Sequence, residues 1–132
     1  MVLMALQSES ASDPQSRACA ERVSATVLVL EDPLINNFLR AVLQRHGHKV
    51  VIVQPEQCAD LKRSGIPPAD LVVTNRPEAF LPFADTLPVI YIAASPDPVL
   101  ASQFHMCRVL PKPFRNDDLL EAVGELARRV VP

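Results

Sequence analysis

Thr26-Val27-Leu28-Val29-Leu30-Glu31-Asp32-Pro33 is the stretch on which the reading of the fold turns. Val27 to Leu30 is a continuous apolar run, without the polar alternation of a strand that has one wet face. A run of this kind belongs to a strand buried on both sides, as in a parallel sheet covered by helices. It stops abruptly at two acids and a proline, and proline suits the first turn of a helix. A buried strand passing straight into a helix predicts an α/β fold.

The same alternation continues downstream. Ile35, Phe38, Leu39, Val42 and Leu43 fall on one stripe of a 3.6-residue period, which predicts a helix with Asp32 as its cap. Gly47 stands where that helix should end. Val50 to Val53 reads as a second strand. Glu56 to Ser64 reads as a short polar helix carrying Cys58 and Leu61, closed by Gly65. Leu71 to Thr74 is a third buried strand behind Pro67-Pro68, and Val89 to Ala93 a fourth behind Pro88. Pro98 to about Cys107 is expected to be helical, with Val109-Leu110 a short fifth strand. In the last helix Leu119, Ala122, Val123, Leu126, Ala127 and Val130 share a face. Asn116 or its neighbour is the expected cap, and Asp117 and Asp118 suit the helix dipole. Residues 1–24, rich in Ser, Ala and Gln, are expected to form a flexible tail, and 25–132 one domain.

The 132-residue length fits one domain, and 48% hydrophobic residues suffice for a core. A net charge of -2 argues against direct nucleic-acid binding, which needs a basic stripe. No apolar stretch approaches the ~20 residues of a membrane span. Cys19, Cys58 and Cys107 are too few and scattered for a disulfide framework or a zinc site, and fit a reducing cytoplasm. Cys58 and Cys107 read as small core residues, and Phe104 and Met106 at the end of the fourth helix as core residues in preference to a contact surface. His46, His48 and His105 have no ligand spacing, and Arg128-Arg129 suit the end of a helix dipole. Three glycines against thirteen prolines leave no material for a glycine-rich phosphate cradle.

In an open parallel sheet, ligands bind off the carboxyl ends of the strands. The residues expected there are Glu31 and Asp32, Asn75, Ala93 and Ala94, and Lys112. Taken singly, Asp32 is a cap, Lys112 a solvated lysine and Asn75 a turn former. Together they bring two carboxylates, an amide and an ammonium to one edge.

The run from Thr26 to the C-terminus resembles the receiver domain of two-component response regulators. The resemblance rests on VLVLEDP at 27–33, HGHKV at 46–50, ADLVVTN at 69–75, LPVIYIAAS at 87–95 and LPKPF at 110–114. It covers about four-fifths of the chain. It implies a doubly wound, flavodoxin-like sheet of five parallel strands in the order 2-1-3-4-5. It also implies that Glu31 and Asp32 match the acidic pair that holds Mg²⁺, and Lys112 the lysine that contacts the phosphoryl group. Asn75 falls where the family has its phospho-accepting aspartate. Ala93 falls at the position of the hydroxyl that reads the phosphoryl group, and Val109 at that of an aromatic switch residue. An amide oxygen is a far poorer nucleophile than a carboxylate. Removing one carboxylate also weakens Mg²⁺ binding, so no cofactor is expected, or at most weak Mg²⁺. Asn75 remains near-isosteric with Asp, and Lys112 is expected to pair with Asp32 or Asn75.

Only Arg76 to Leu87 separates strands three and four, the minimum for a parallel crossover, and Pro77 and Pro82 restrict helix within it. The third helix is therefore expected to be shortened or missing, with Phe80 and Phe83 plugging the sheet face. The functional expectation is a non-enzymatic, phosphorylation-independent receiver-like module, in which Asn75, Ala93 and Val109 mark degenerate positions. Its partners are expected to be signalling proteins, with no direct nucleic acid and no membrane. The resemblance points to the face of the fourth helix, fifth strand and fifth helix, here Pro98 to Val130, for partners and for a homodimer. Because the chain ends with the fold at Pro132, output is expected from another molecule. One alternative is a receiver phosphorylated at Asp85 or Asp97. The other is a small-ligand-binding flavodoxin-like domain, disfavoured by glycine-free loops reading EDP, NRP, AASPDP and PKPF.

Overall fold

The computed structural model describes residues 24–130, in which five strands pair in one parallel sheet. The strands are β1 (Thr26–Leu30), β2 (Lys49–Ile52), β3 (Leu71–Thr74), β4 (Val89–Ala93) and β5 (Cys107–Pro111). Their order is β2-β1-β3-β4-β5, and the register sets Leu30 beside Thr74 and Ala93 beside Pro111. The tail expected at 1–24 lies outside the described residues apart from Ser24, as does Cys19. The side chains of Cys58, Arg129 and Val130 are also outside them.

Strand residues alternate between two cores, as the period of two demands. Val27, Val29, Leu71, Val73, Ile90 and Ile92 pack under α1 (Pro33–Arg45) and the carboxyl-terminal helix (Asn116–Val130). Leu28, Leu30, Val72, Val89 and Tyr91 face the opposite side with Leu61, Phe80, Leu87 and Phe104. Because both faces are covered, the central strands β1, β3 and β4 carry no polar alternation.

In α1 the buried side is Asn36, Leu39, Val42 and Leu43, with Ile35 at its margin. Phe38, expected on the buried stripe, is 41% exposed and meets Phe114 edge-on at 6.2 Å. Asn36 takes the central place because its side chain has a backbone group to satisfy, the N–H of Glu31. The helix ends in a Schellman motif: Gly47 N–H donates to the Gln44 carbonyl and His48 N–H to that of Leu43. Gly47 has φ +90°, a conformation that costs other residues energy.

The opposite face departs from the expected helices. Pro55–Asp60 is a 3₁₀ segment, and only α2 (Leu61–Ser64) follows as a single α turn. After β4 the helix is also one turn, α3 (Pro98–Ala101), and does not run on to Cys107. Val89 N–H donates to the Met106 carbonyl, so sheet pairing claims the chain from there and β5 begins earlier than expected. Phe104 lies in the core between the two, and Met106 packs against the other cluster. The β3–β4 crossover is a 3₁₀ stretch, Pro77–Phe83, with Phe80 fully buried and Phe83 half-buried against the sheet. The carboxyl-terminal helix, α4 (Asn116–Val130), buries Leu119, Ala122, Val123, Leu126 and Ala127. Its first turn is closed by Leu119 N–H donating to the Arg115 carbonyl.

Candidate functional site

Parallel pairing ends β1, β3, β4 and β5 at one edge, so the residues that follow them meet there. Glu31 directly follows β1, Asn75 follows β3, Ala94 follows β4 and Lys112 follows β5. Two backbone hydrogen bonds extend the ladder past the strand ends. Asn75 N–H donates to the Leu30 carbonyl at 3.3 Å, and Lys112 N–H to the Ala93 carbonyl at 2.9 Å.

The centre of the edge is an ion pair. Lys112 Nζ stands 3.2 Å from Glu31 Oε2, and the glutamate side chain has no exposed surface. The approach is off the hydrogen-bond direction, so Oε2 is a buried oxygen held by charge alone. Glu31 Oε1 accepts from Asp32 N–H at 3.0 Å. Lys112 therefore pairs with Glu31, and not with Asp32 or Asn75 as expected. The reason is burial: Asp32 is exposed and solvated, whereas the carboxylate sealed inside the fold has the stronger need for a counter-charge.

Asp32 occupies the N-cap position of α1 in an extended conformation but makes no side-chain cap bond. That is a second correction, and Asn36 supplies its cause. Asn36 Oδ1 reaches back to accept Glu31 N–H at 2.9 Å, so the turn is closed from inside the helix. The amide of Asn75 is half-buried and, among the described residues, makes no side-chain hydrogen bond to Lys112 or Glu31. Ala93 is half-buried at the end of β4. Val109 is 38% exposed and lies beside Tyr91 in the register.

Other polar residues found no signal in the sequence beyond their type. Tyr91 is buried and its hydroxyl oxygen accepts Asp97 N–H at 3.2 Å. Asp97 caps α3 by accepting from Val99 N–H at 2.9 Å. Asp70 Oδ2 accepts Thr26 N–H at 2.8 Å and locks the opposite end of β1. Arg108 pairs with Glu125 across β5 and α4. Cys107 is half-buried, and burial pushes its thiol up, which leaves it a neutral packing residue.

The donor set at this edge is poor for a divalent cation. Mg²⁺ needs oxygen ligands dominated by carboxylates. Here the buried carboxylate oxygen already has an ammonium against it, the second acid is exposed, and the third position offers an amide. Among the described residues, no group of three or more His, Cys, Asp and Glu side chains is placed to hold a metal ion. The edge thus offers Mg²⁺ fewer carboxylates than it prefers. The hollow of about 450 Å³ between β2 and α2 lies away from this chemistry, and its Asp60 pairs with Arg63.

Comparison with known proteins bears on the fold. No protein-family model matches the sequence, and no curated protein matches it significantly. Solved structures do. A response regulator receiver protein from Sinorhizobium medicae superposes with TM-score 0.67 at 21% identity, covering 81% of this chain and 97% of that one. The response regulator PhyR from Brucella abortus gives 0.66 at 21%, covering 86% of this chain and 53% of PhyR, about half its length. The chemotaxis response regulator CheY4 of Vibrio cholerae gives 0.62 at 18%, covering 83% and 100%. The chain therefore has the receiver fold, in its flavodoxin-like strand order and with reduced helices. No helix among the described residues is long and apolar enough to cross a membrane.

Proposed function

We propose that this chain is a receiver-like signalling module that works by protein contact and without phosphorylation. One observation carries the reading: the acid–lysine pair of the sheet edge is already neutralised, and the neighbouring post-β3 residue is Asn75. A phosphoryl acceptor needs a carboxylate nucleophile, and an amide does not serve. Ala93 has no hydroxyl to answer a phosphoryl group, and Val109 no ring to swing. In this reading Glu31 and Asp32 are a relic of a metal pair, Mg²⁺ binds weakly, and the module is not an enzyme. Its partners are proteins, not nucleic acid, and its compartment is the cytoplasm.

The test is NMR on the full chain with Mg²⁺ and beryllofluoride or acetyl phosphate. The amides of Asn75 and Lys112 are expected to stay in place; movement of both would sink the proposal. Asn75→Asp provides the positive arm. Its added carboxylate should tighten Mg²⁺ binding by about tenfold or more. Phosphorylation at Asp97 has less support, because its carboxylate is engaged as the α3 cap. Asp85 is exposed but precedes β4, at the sheet edge opposite Lys112, so it too has less support, and phosphate incorporation that survives Asn75→Ala but is lost with Asp85 would favour that alternative.

A further inference from the structure

A second feature lies beside the ion pair and plays no part in it. Ile35, Phe38, Ala94, Pro113 and Phe114, with the stem of Lys112, line an open apolar groove of about 570 Å³. The size is that of a site for a small ligand or a few side chains. Phe38 and Phe114 form its aromatic wall, and Leu34, one turn before Phe38, is 82% exposed. Lys112 brings no free charge, because its ammonium is engaged by Glu31. The fitting occupant therefore presents apolar side chains to the groove.

The chain carries such a segment. Met1-Val2-Leu3-Met4-Ala5-Leu6 is six consecutive apolar residues, and it is joined to the fold at a suitable place. Ser24 is held at the far end of α1, where its hydroxyl donates to the Gly47 carbonyl at 2.7 Å. From Gly47 back to Phe38 is about 14 Å at 1.5 Å per helical residue. The seventeen residues from Gln7 to Val23 can span up to about 56 Å. The hexapeptide can reach the groove with chain to spare, and tethering holds it at a millimolar effective concentration. We propose that Met1–Leu6 of the same chain seats in this groove, with its side chains against Phe38 and Phe114. Burial of apolar surface drives the contact.

Methionine methyl NMR on the full chain tests this. Met1, Met4 and Met106 are the three methionines, so two probes lie in the segment and one in the fold. Met4→Leu assigns the critical signal. The Met4 methyl is expected to show cross-peaks to the rings of Phe38 and Phe114 at every protein concentration. Phe38→Ala should abolish them and leave the Met106 signal in place. Cross-peaks that fade on dilution would mean that a second copy supplies the segment, and would overturn the proposal. A Met4 methyl without ring contacts would overturn it too, and leave the groove to another molecule. The wild-type cross-peaks decide the matter even where Phe38→Ala unfolds the chain.

Discussion

Glu31 is a carboxylate cut off from water, and its ion-pair partner is Lys112. Breaking one side of such a pair leaves an uncompensated buried charge, which is costlier than the pair itself is favourable. Lys112→Met should therefore destabilise the fold by about 2–3 kcal/mol, below the fully buried range because the lysine is partly solvated. Adding Glu31→Gln should restore most of that loss. Urea unfolding of the two single variants and the double variant reads the coupling directly. A Lys112→Met protein as stable as the parent would show that Glu31 needs no counter-charge. Glu31 itself was visible in the sequence as a candidate, but its pairing was not. Sequence order ranks Glu31 and Asp32 alike, whereas the direction of the chain at the end of β1 buries the first and exposes the second.

At the scale of elements, two glycines should respond in opposite directions. Gly47 holds φ +90° with open space around its missing Cβ, so Gly47→Ala meets backbone strain alone. The expected loss is about 1 kcal/mol. Gly124 lies inside α4, where an added Cβ would touch only the far end of the flexible Arg128 side chain at 3.3 Å. Gly124→Ala should stabilise by about 0.5–1 kcal/mol. Thermal or urea midpoints of the two variants check the signs. The 3₁₀ crossover hangs on one ring. Phe80 is fully buried and stands where a helix would otherwise cover the sheet. Phe80→Ala should cost about 3–5 kcal/mol by loss of burial and the cavity left behind, measured as a fall in the urea midpoint. The shortness of this crossover was legible from chain length and prolines. The single-turn α3 was not, because Pro98 to Cys107 has helical composition and it is pairing of Met106 with Val89 that pulls the chain out of helix.

For the whole molecule, the two sides of the sheet are unequally armoured. Long helices α1 and α4 cover one, while short turns and buried aromatics cover the other. The face formed by α3, β5 and α4 carries Val99 at 67% exposure and Val109 at 38%. If a homodimer forms through this face, as the resemblance in the sequence implies, Val99→Glu with Val109→Glu should shift light scattering from dimer to monomer without changing the fold's stability much. Surface substitutions away from buried features usually stay within about 0.5 kcal/mol. A parent that is monomeric at all concentrations would show that this face does not pair two copies. The fold was legible at this scale because short apolar runs, three of them buried, separated by helical segments leave few ways to assemble.

The chain's local chemistry settled the strands, the two long helices, the Gly47 turn and the missing third helix, since each depends on residues close in sequence. Periodicity and backbone stereochemistry act over a few residues and can be read in order. The partner of Lys112, the inward turn of Asn36 to Glu31 N–H, and the Phe38–Phe114 groove depended on the packed fold. These contacts join segments from opposite ends of the domain or hinge on which way a side chain faces. Burial decides which charge must be answered and which ring is left in water, and burial exists only once the sheet and helices have closed on one another.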